Sequence, residues 1–197
     1  KYDLGYPEIL KRSGSMDDET YYIVNNYLYG LNRCDEALGY FVDSLDKIGE
    51  PVIFLFFADH LPFLGENFKG YKALGFEISQ TGSLEAYLNH YETPYFIYCN
   101  EEAKELLKER NIQAPEGEAP LISSNYLAAE LLKYIGLDGG AYFNFLTELQ
   151  DEIPVITNRF YEVNGSFTEN LPADSLQLID RYRRLQYYMM MEPKAVE

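Results

Sequence analysis

Apolar side chains recur at Val24, Tyr27, Leu28, Leu31, Cys34, Leu38, Phe41, Val42, Leu45 and Ile48, steps of three and four that draw one stripe along a helix. The spacing predicts a long amphipathic helix between Ser15 and Ile48. Ser15 followed by Asp18 resembles a capping box, Asp17 to Glu19 put negative charge on the positive helix end, and Lys47 with Gly49 closes the other. Beyond Gly49 and Pro51 the pattern changes. Val52 to Ala58 is apolar at every position, which predicts a strand buried on both faces of a mainly parallel sheet. Pro94 to Cys99 has the same character, and Asn100 follows as N-cap of a helix from Glu101 to about Arg110.

Between these strands, Leu61 to Ser83 carries Pro62, Gly65, Gly70, Gly75 and Gly82 among aromatic residues, too long for an ordinary connection. Ser123 or Ser124 can cap a helix that runs through Tyr126, Leu127, Leu131, Leu132 and Ile135 and stops at Gly136, and Ala141 to Glu152 reads as another. Arg159 to Val163, Asn164-Gly165, then Ser166 and Phe167 predict a hairpin, because Asn-Gly supplies the positive φ angles of a type I′ turn. The same Asn164-Gly165-Ser166 fits the glycosylation pattern. From Pro172 to about Met190 the apolar positions Leu176, Ile179, Leu185 and Tyr188 are helical again. No internal repeat or interdomain linker interrupts this order, so residues 1–197 read as a single α/β domain.

Composition agrees with a packed core: 197 residues, 47% apolar and 16% aromatic, bury enough surface to offset ordering entropy. The formal charge of -16 repels phosphate backbones and anionic lipid surfaces, which excludes nucleic acid as a partner. The longest apolar run, Val52 to Ala58, is far short of the roughly 20 residues that span a bilayer. The opening residues have no apolar core or small-residue cleavage site of a signal peptide. Cys34 and Cys99 lack any zinc-type spacing and read as small hydrophobes.

Chemistry is expected at Asp59 and His60, which leave the first apolar strand at its carboxyl end, where α/β sheets bind ligands. A carboxylate oxygen and a neutral imidazole nitrogen suit a divalent cation such as manganese or zinc. The competing reading has Asp59 capping the loop and His60 bonding locally. His90 is a conceivable third ligand, whereas Glu66, Glu77 and Glu85 read as solvated. Phe63, Phe68, Tyr71 and Phe76 could wall a groove for a glycolipid or polymer, and loop packing explains them equally well.

Tyr27 to Leu45, with Asp35-Glu36-Ala37-Leu38-Gly39, then Val52 to Phe57 and Ala58-Asp59-His60-Leu61-Pro62-Phe63-Leu64-Gly65, resembles the lipoteichoic acid synthase branch of the sulfatase and alkaline phosphatase superfamily. Thr93 to Asn100 is similar to that branch's next strand, Ser123 to Gly136 to its following helix, and Leu176 to Tyr188 to its terminal helix. The resemblance implies a three-layer sandwich around a mainly parallel sheet, alkaline phosphatase-like and truncated to its C-terminal part. It implies that Asp59 and His60 hold one divalent metal ion, manganese first, with zinc or magnesium as alternatives. An upstream acidic residue and a Thr or Ser hydroxyl would complete the shell, and the hydroxyl would attack phosphorus or sulfur.

Only Asp59 and His60 carry over. The family's nucleophile lies well before the long helix, and Ser13, Ser15 and Thr20 belong to the helix start, where capping explains them. The fragment is therefore expected to be inactive alone and to need the upstream part of the same domain. Phosphoglycerol lipids, other phosphoesters or sulfate esters are the implied substrates of the parent, and an extracytoplasmic, membrane-anchored location its implied address. A non-catalytic binding or scaffolding module with the same fold is the alternative.

Overall fold

The computed structural model describes residues 2–12, 14 and 16–191. They form two compact units, residues 1–103 and 104–197, with the boundary inside one helix.

In the first unit, helix α1 (Asp18–Leu45) begins where Asp17 accepts a hydrogen bond from the Thr20 amide at 2.7 Å. Hydrogen bonding from the Thr20 hydroxyl, and then from its amide, holds the Asp17 carboxyl below the usual carboxylate range. The cap is thus Asp17, whereas Ser15 lies outside the described residues. The expected apolar stripe exists but is covered only in part. Val24 and Leu45 are buried, whereas Leu31, Phe41 and Ile48 are about half exposed.

The segment before α1 lies along its start, fastened by Asn25 and by Asn26, whose side-chain nitrogen donates to the Tyr2 carbonyl at 2.8 Å. The Asn25 amide oxygen accepts from Ile9 N (2.8 Å) and Leu10 N (3.1 Å), and its nitrogen donates to the Pro7 carbonyl at 3.0 Å. Tyr6 stacks on Tyr29 at 4.5 Å between ring centroids.

Strand β1 (Ile53–Phe57) follows, then the glycine-rich excursion, which contains α2 (Lys69–Ala73) and leads to α3 (Leu84–Tyr91). Strand β2 (Tyr95–Cys99) returns beside β1, and α4 (Glu101–Glu109) starts directly after Asn100. Asn100 is fully buried and joins three elements. Its oxygen accepts from Val52 N (2.9 Å) and Ala103 N (3.0 Å), and its nitrogen donates to the carbonyls of Leu45 (3.2 Å) and Glu50 (2.8 Å).

The fold is mixed α/β as expected, but the mainly parallel sheet of a three-layer sandwich is not seen among the described residues: β1 and β2 pair antiparallel, Ile53 opposite Cys99 and Phe57 opposite Tyr95. Every strand pairing among the described residues is antiparallel. A run of apolar residues reports cover on both faces and carries no mark of its neighbour's direction. Nor is β1 wholly buried, for Phe57 is 54% exposed.

In the second unit, α5 (Leu127–Ile135) ends at Gly136, whose φ of 70° is the left-handed cap that favours glycine. Helix α6 (Gly140–Glu152) and strands β3 (Val155–Ile156), β4 (Tyr161–Val163) and β5 (Ser166–Thr168) precede α7 (Ala173–Met191). Asn164 and Gly165 have φ of 52° and 71°, as the type I′ hairpin requires. The core gathers Tyr126, Phe145, Leu146, Leu149, Ile153, Ile179 and Tyr182. Tyr126 is fully buried, and its hydroxyl donates to the Ile153 carbonyl at 2.9 Å. Burial raises its phenol pKa strongly.

Candidate functional site

Strand β1 ends at Phe57, and Ala58 stays on the ladder through its amide, which donates to the Pro94 carbonyl at 3.0 Å. Thr93 adds a 2.9 Å hydroxyl bond to the Ala58 carbonyl. The backbone is therefore fixed up to the residue before Asp59, and the two polar side chains project from a defined point.

Asp59 Oδ1 accepts from the His60 amide at 2.8 Å, while Asp59 Oδ2 lies 3.5 Å from His60 Nε2. His60 Nδ1 sits 2.9 Å from the Leu61 carbonyl oxygen. A carbonyl can only accept, so this bond requires the proton on Nδ1. In the neutral ring it leaves the Nε2 lone pair bare beside the carboxylate. Backbone bonds that fix a tautomer in this way are the usual support of a metal-binding imidazole.

Two ligands held at about 2.1 Å from one cation, at tetrahedral or octahedral angles, stand about 3.0–3.4 Å apart. The observed 3.5 Å is close to that spacing. Asp59 and His60 thus fit a cation as two of its ligands, and their side chains, 81% and 78% exposed, are open to it. No cluster of three or more His, Cys, Asp or Glu side chains among the described residues could hold a metal ion.

His90 is engaged elsewhere. Its Nε2 is 3.1 Å from Gln80 Nε2, and its ring packs edge-on against Phe68 and Tyr91 at 5.3 and 4.5 Å. Thr20 is buried in the first turn of α1. Ser13 lies outside the described residues.

The excursion after the pair resolves the aromatic cluster. Tyr71 is buried with Leu64 and Ile78 in a small core that also receives Ile23, Tyr27 and Phe68, and its hydroxyl donates to the Pro62 carbonyl at 2.7 Å. Gly70 permits this turn, since a Cβ there would stand 2.5 Å from the Leu64 carbonyl oxygen. Lys69 bonds Glu19 at 2.5 Å, fastening the loop to the start of α1. Phe68 and Tyr71 therefore serve packing, whereas Phe63 remains 71% exposed.

A cyclic beta-1,2-glucan modification protein of Rhizobium meliloti (strain 1021) is 24% identical over 188 residues, covering 92% of this chain. The chain spans 27% of that relative's length. No solved structure matches significantly. The sulfatase family model matches residues 1–137, and the chain belongs to the sulfatase family.

Proposed function

We propose that residues 1–197 are the C-terminal portion of one sulfatase-like domain of alkaline phosphatase-like fold, and that Asp59 and His60 supply two ligands to a single divalent cation, manganese first. The observation that supports this is the 3.5 Å approach of His60 Nε2 to Asp59 Oδ2 at the exit of β1, with Nδ1 engaged by the Leu61 carbonyl. A cation there supplies Lewis-acid polarisation of the transferring group and acidifies an attacking hydroxyl. Asp59 and His60 orient it. The remaining ligands and the nucleophilic Thr or Ser belong to the upstream part of the domain.

The reaction is phosphoglycerol transfer or hydrolysis of a phosphate or sulfate ester in the cell envelope, by a membrane-anchored parent. Among the described residues no helix is long and apolar enough to cross a membrane. The glucan named for the Rhizobium relative suggests a sugar hydroxyl as acceptor. Titration of the intact gene product with manganese, followed by electron paramagnetic resonance, tests the site. Wild type should bind one ion, and Asp59→Ala or His60→Ala should weaken binding at least ~10-fold, the lower end for loss of a metal-supporting group. Equal binding by all three sinks the assignment.

A further inference from the structure

Helices α6 and α7 flank an open cleft of about 720 Å³ in the second unit, a volume within the range of small-molecule sites. Its wall is acidic. Glu148, Asp151 and Glu152 come from the final turns of α6, and Asp174 from the first turn of α7. Asp151, Glu152 and Asp174 make no ion pair among the described residues. The last turn of α6 holds no basic residue, although the partial negative charge of a helix C-terminus favours a cation there. That partial charge offsets the opposite one at the start of α7, so the carboxylates set the field in the cleft.

Ser175 is a separate sign of a ligand. It lines the cleft yet is only 7% exposed, and its hydroxyl makes no hydrogen bond among the described residues. Buried polar groups in folded proteins are nearly always paired, so a hydroxyl left open on a cleft wall is available to an incoming group. Among carboxylates the complementary group is a positively charged donor, whose bond to the serine oxygen is charge-assisted.

Two further features narrow the class. No three His, Cys, Asp or Glu side chains among the described residues are grouped so as to hold a metal ion, so the carboxylates do not converge on one point charge. A ligand with several positive groups spaced along a chain can meet them one by one. Arg181 shows how such a cation seats on this wall, with its guanidinium 3.4 Å from Glu148 and 4.4 Å from the centre of the Phe145 ring. Leu178 offers apolar cover to methylene groups in the same cleft. We infer that the cleft between α6 and α7 binds a linear aliphatic polyamine, its ammonium groups on Asp151, Glu152 and Asp174 and one of them bonded to the Ser175 hydroxyl. The inference is independent of the cation at Asp59 and His60.

Calorimetric titration of the intact gene product with spermidine, at physiological salt, tests it. Wild type should bind in one saturable step that magnesium at the same concentration does not displace. Ser175→Ala should weaken that step at least ~10-fold, the order of a hydrogen bond to a charged group, and leave the thermal midpoint unchanged because the hydroxyl has no protein partner to lose. Asp151→Asn combined with Asp174→Asn should weaken it at least as much. Glu116→Gln combined with Glu118→Gln removes the same charge from an exposed loop and should change affinity by less than ~2-fold, since distant exposed charges are screened. Equal weakening by the two double variants would overturn the inference, because the general field of a chain of charge -16 would then be what holds the amine. So would displacement by magnesium, a Ser175→Ala variant that binds as wild type does or unfolds earlier, or a wild type that takes up no spermidine.

Discussion

Replacing Asn100 by alanine removes four hydrogen bonds at once, to Val52 N, Ala103 N, Leu45 O and Glu50 O, in a fully buried place. A typical intramolecular bond contributes about 1 kcal/mol net, and a buried group left without a partner costs about 1–3 kcal/mol. Some relief follows if water enters the space vacated by the amide, which leaves a loss of about 3 kcal/mol. For a unit of this size each kcal/mol moves the midpoint by about 4–8 °C, so a fall on the order of 15 °C is expected. Urea unfolding by circular dichroism, with exchange of the β1 amides to identify the part that opens, provides the assay. Asn100→Asp should be at least as damaging at neutral pH, since a carboxylate oxygen would face the Leu45 and Glu50 carbonyls. It should recover in acid, when the protonated carboxyl can donate. A change below about 0.5 kcal/mol in Asn100→Ala, the range of ordinary surface substitutions, would refute the idea that this side chain joins α1, β1 and α4.

Other substitutions separate packing from chemistry. Gly70→Ala places a methyl 2.5 Å from the Leu64 carbonyl oxygen and 2.7 Å from Leu64 Cβ, and should destabilise by about 1–3 kcal/mol in thermal unfolding. Asp59→Ala and His60→Ala, at side chains about four-fifths exposed, should change stability by less than about 0.5 kcal/mol while reducing manganese binding. A bond to Asp46 pushes the Tyr98 phenol up to about 12 from its ordinary 10.0. Because the folded-state value is the higher one, the stabilisation is whole below pH 10 and fades as pH rises towards 12. Tyr98→Phe should flatten that part of the alkaline unfolding profile, and a parallel decline in both proteins would disprove the assignment.

Much of the local structure was legible because it depends on neighbours in sequence. Asn164-Gly165 demands a type I′ turn, Gly136 terminates α5, and Asn100 caps α4, each from conformational preferences of one or two residues. Val52 to Ala58 was recognisable as a strand, yet its antiparallel partner was not, because direction depends on how the 61–94 excursion returns. The same limit applied inside that excursion. Helix α3 is set by Ser83, whose hydroxyl accepts from the Ala86 amide at 3.2 Å, a short signal hidden among glycines and aromatics. Asp59 and His60 stood out as neighbours with ligand chemistry, while their 3.5 Å approach depends on the Leu61 carbonyl fixing the ring. Tyr71 and Phe68 were ambiguous by composition and became packing residues only once Leu64, Ile78 and Tyr27 were placed around them.

The Asn25 side chain reads main-chain atoms alone: one carbonyl at Pro7 and two amides, at Ile9 and Leu10. An attachment of that kind is indifferent to most side chains in the segment it grips. Sequence drift at positions 7 to 10 is therefore tolerable, with one prohibition. Proline at 9 or 10 would delete a donor and loosen the grip of Asn25, whereas proline at 7, which offers only its oxygen, is harmless.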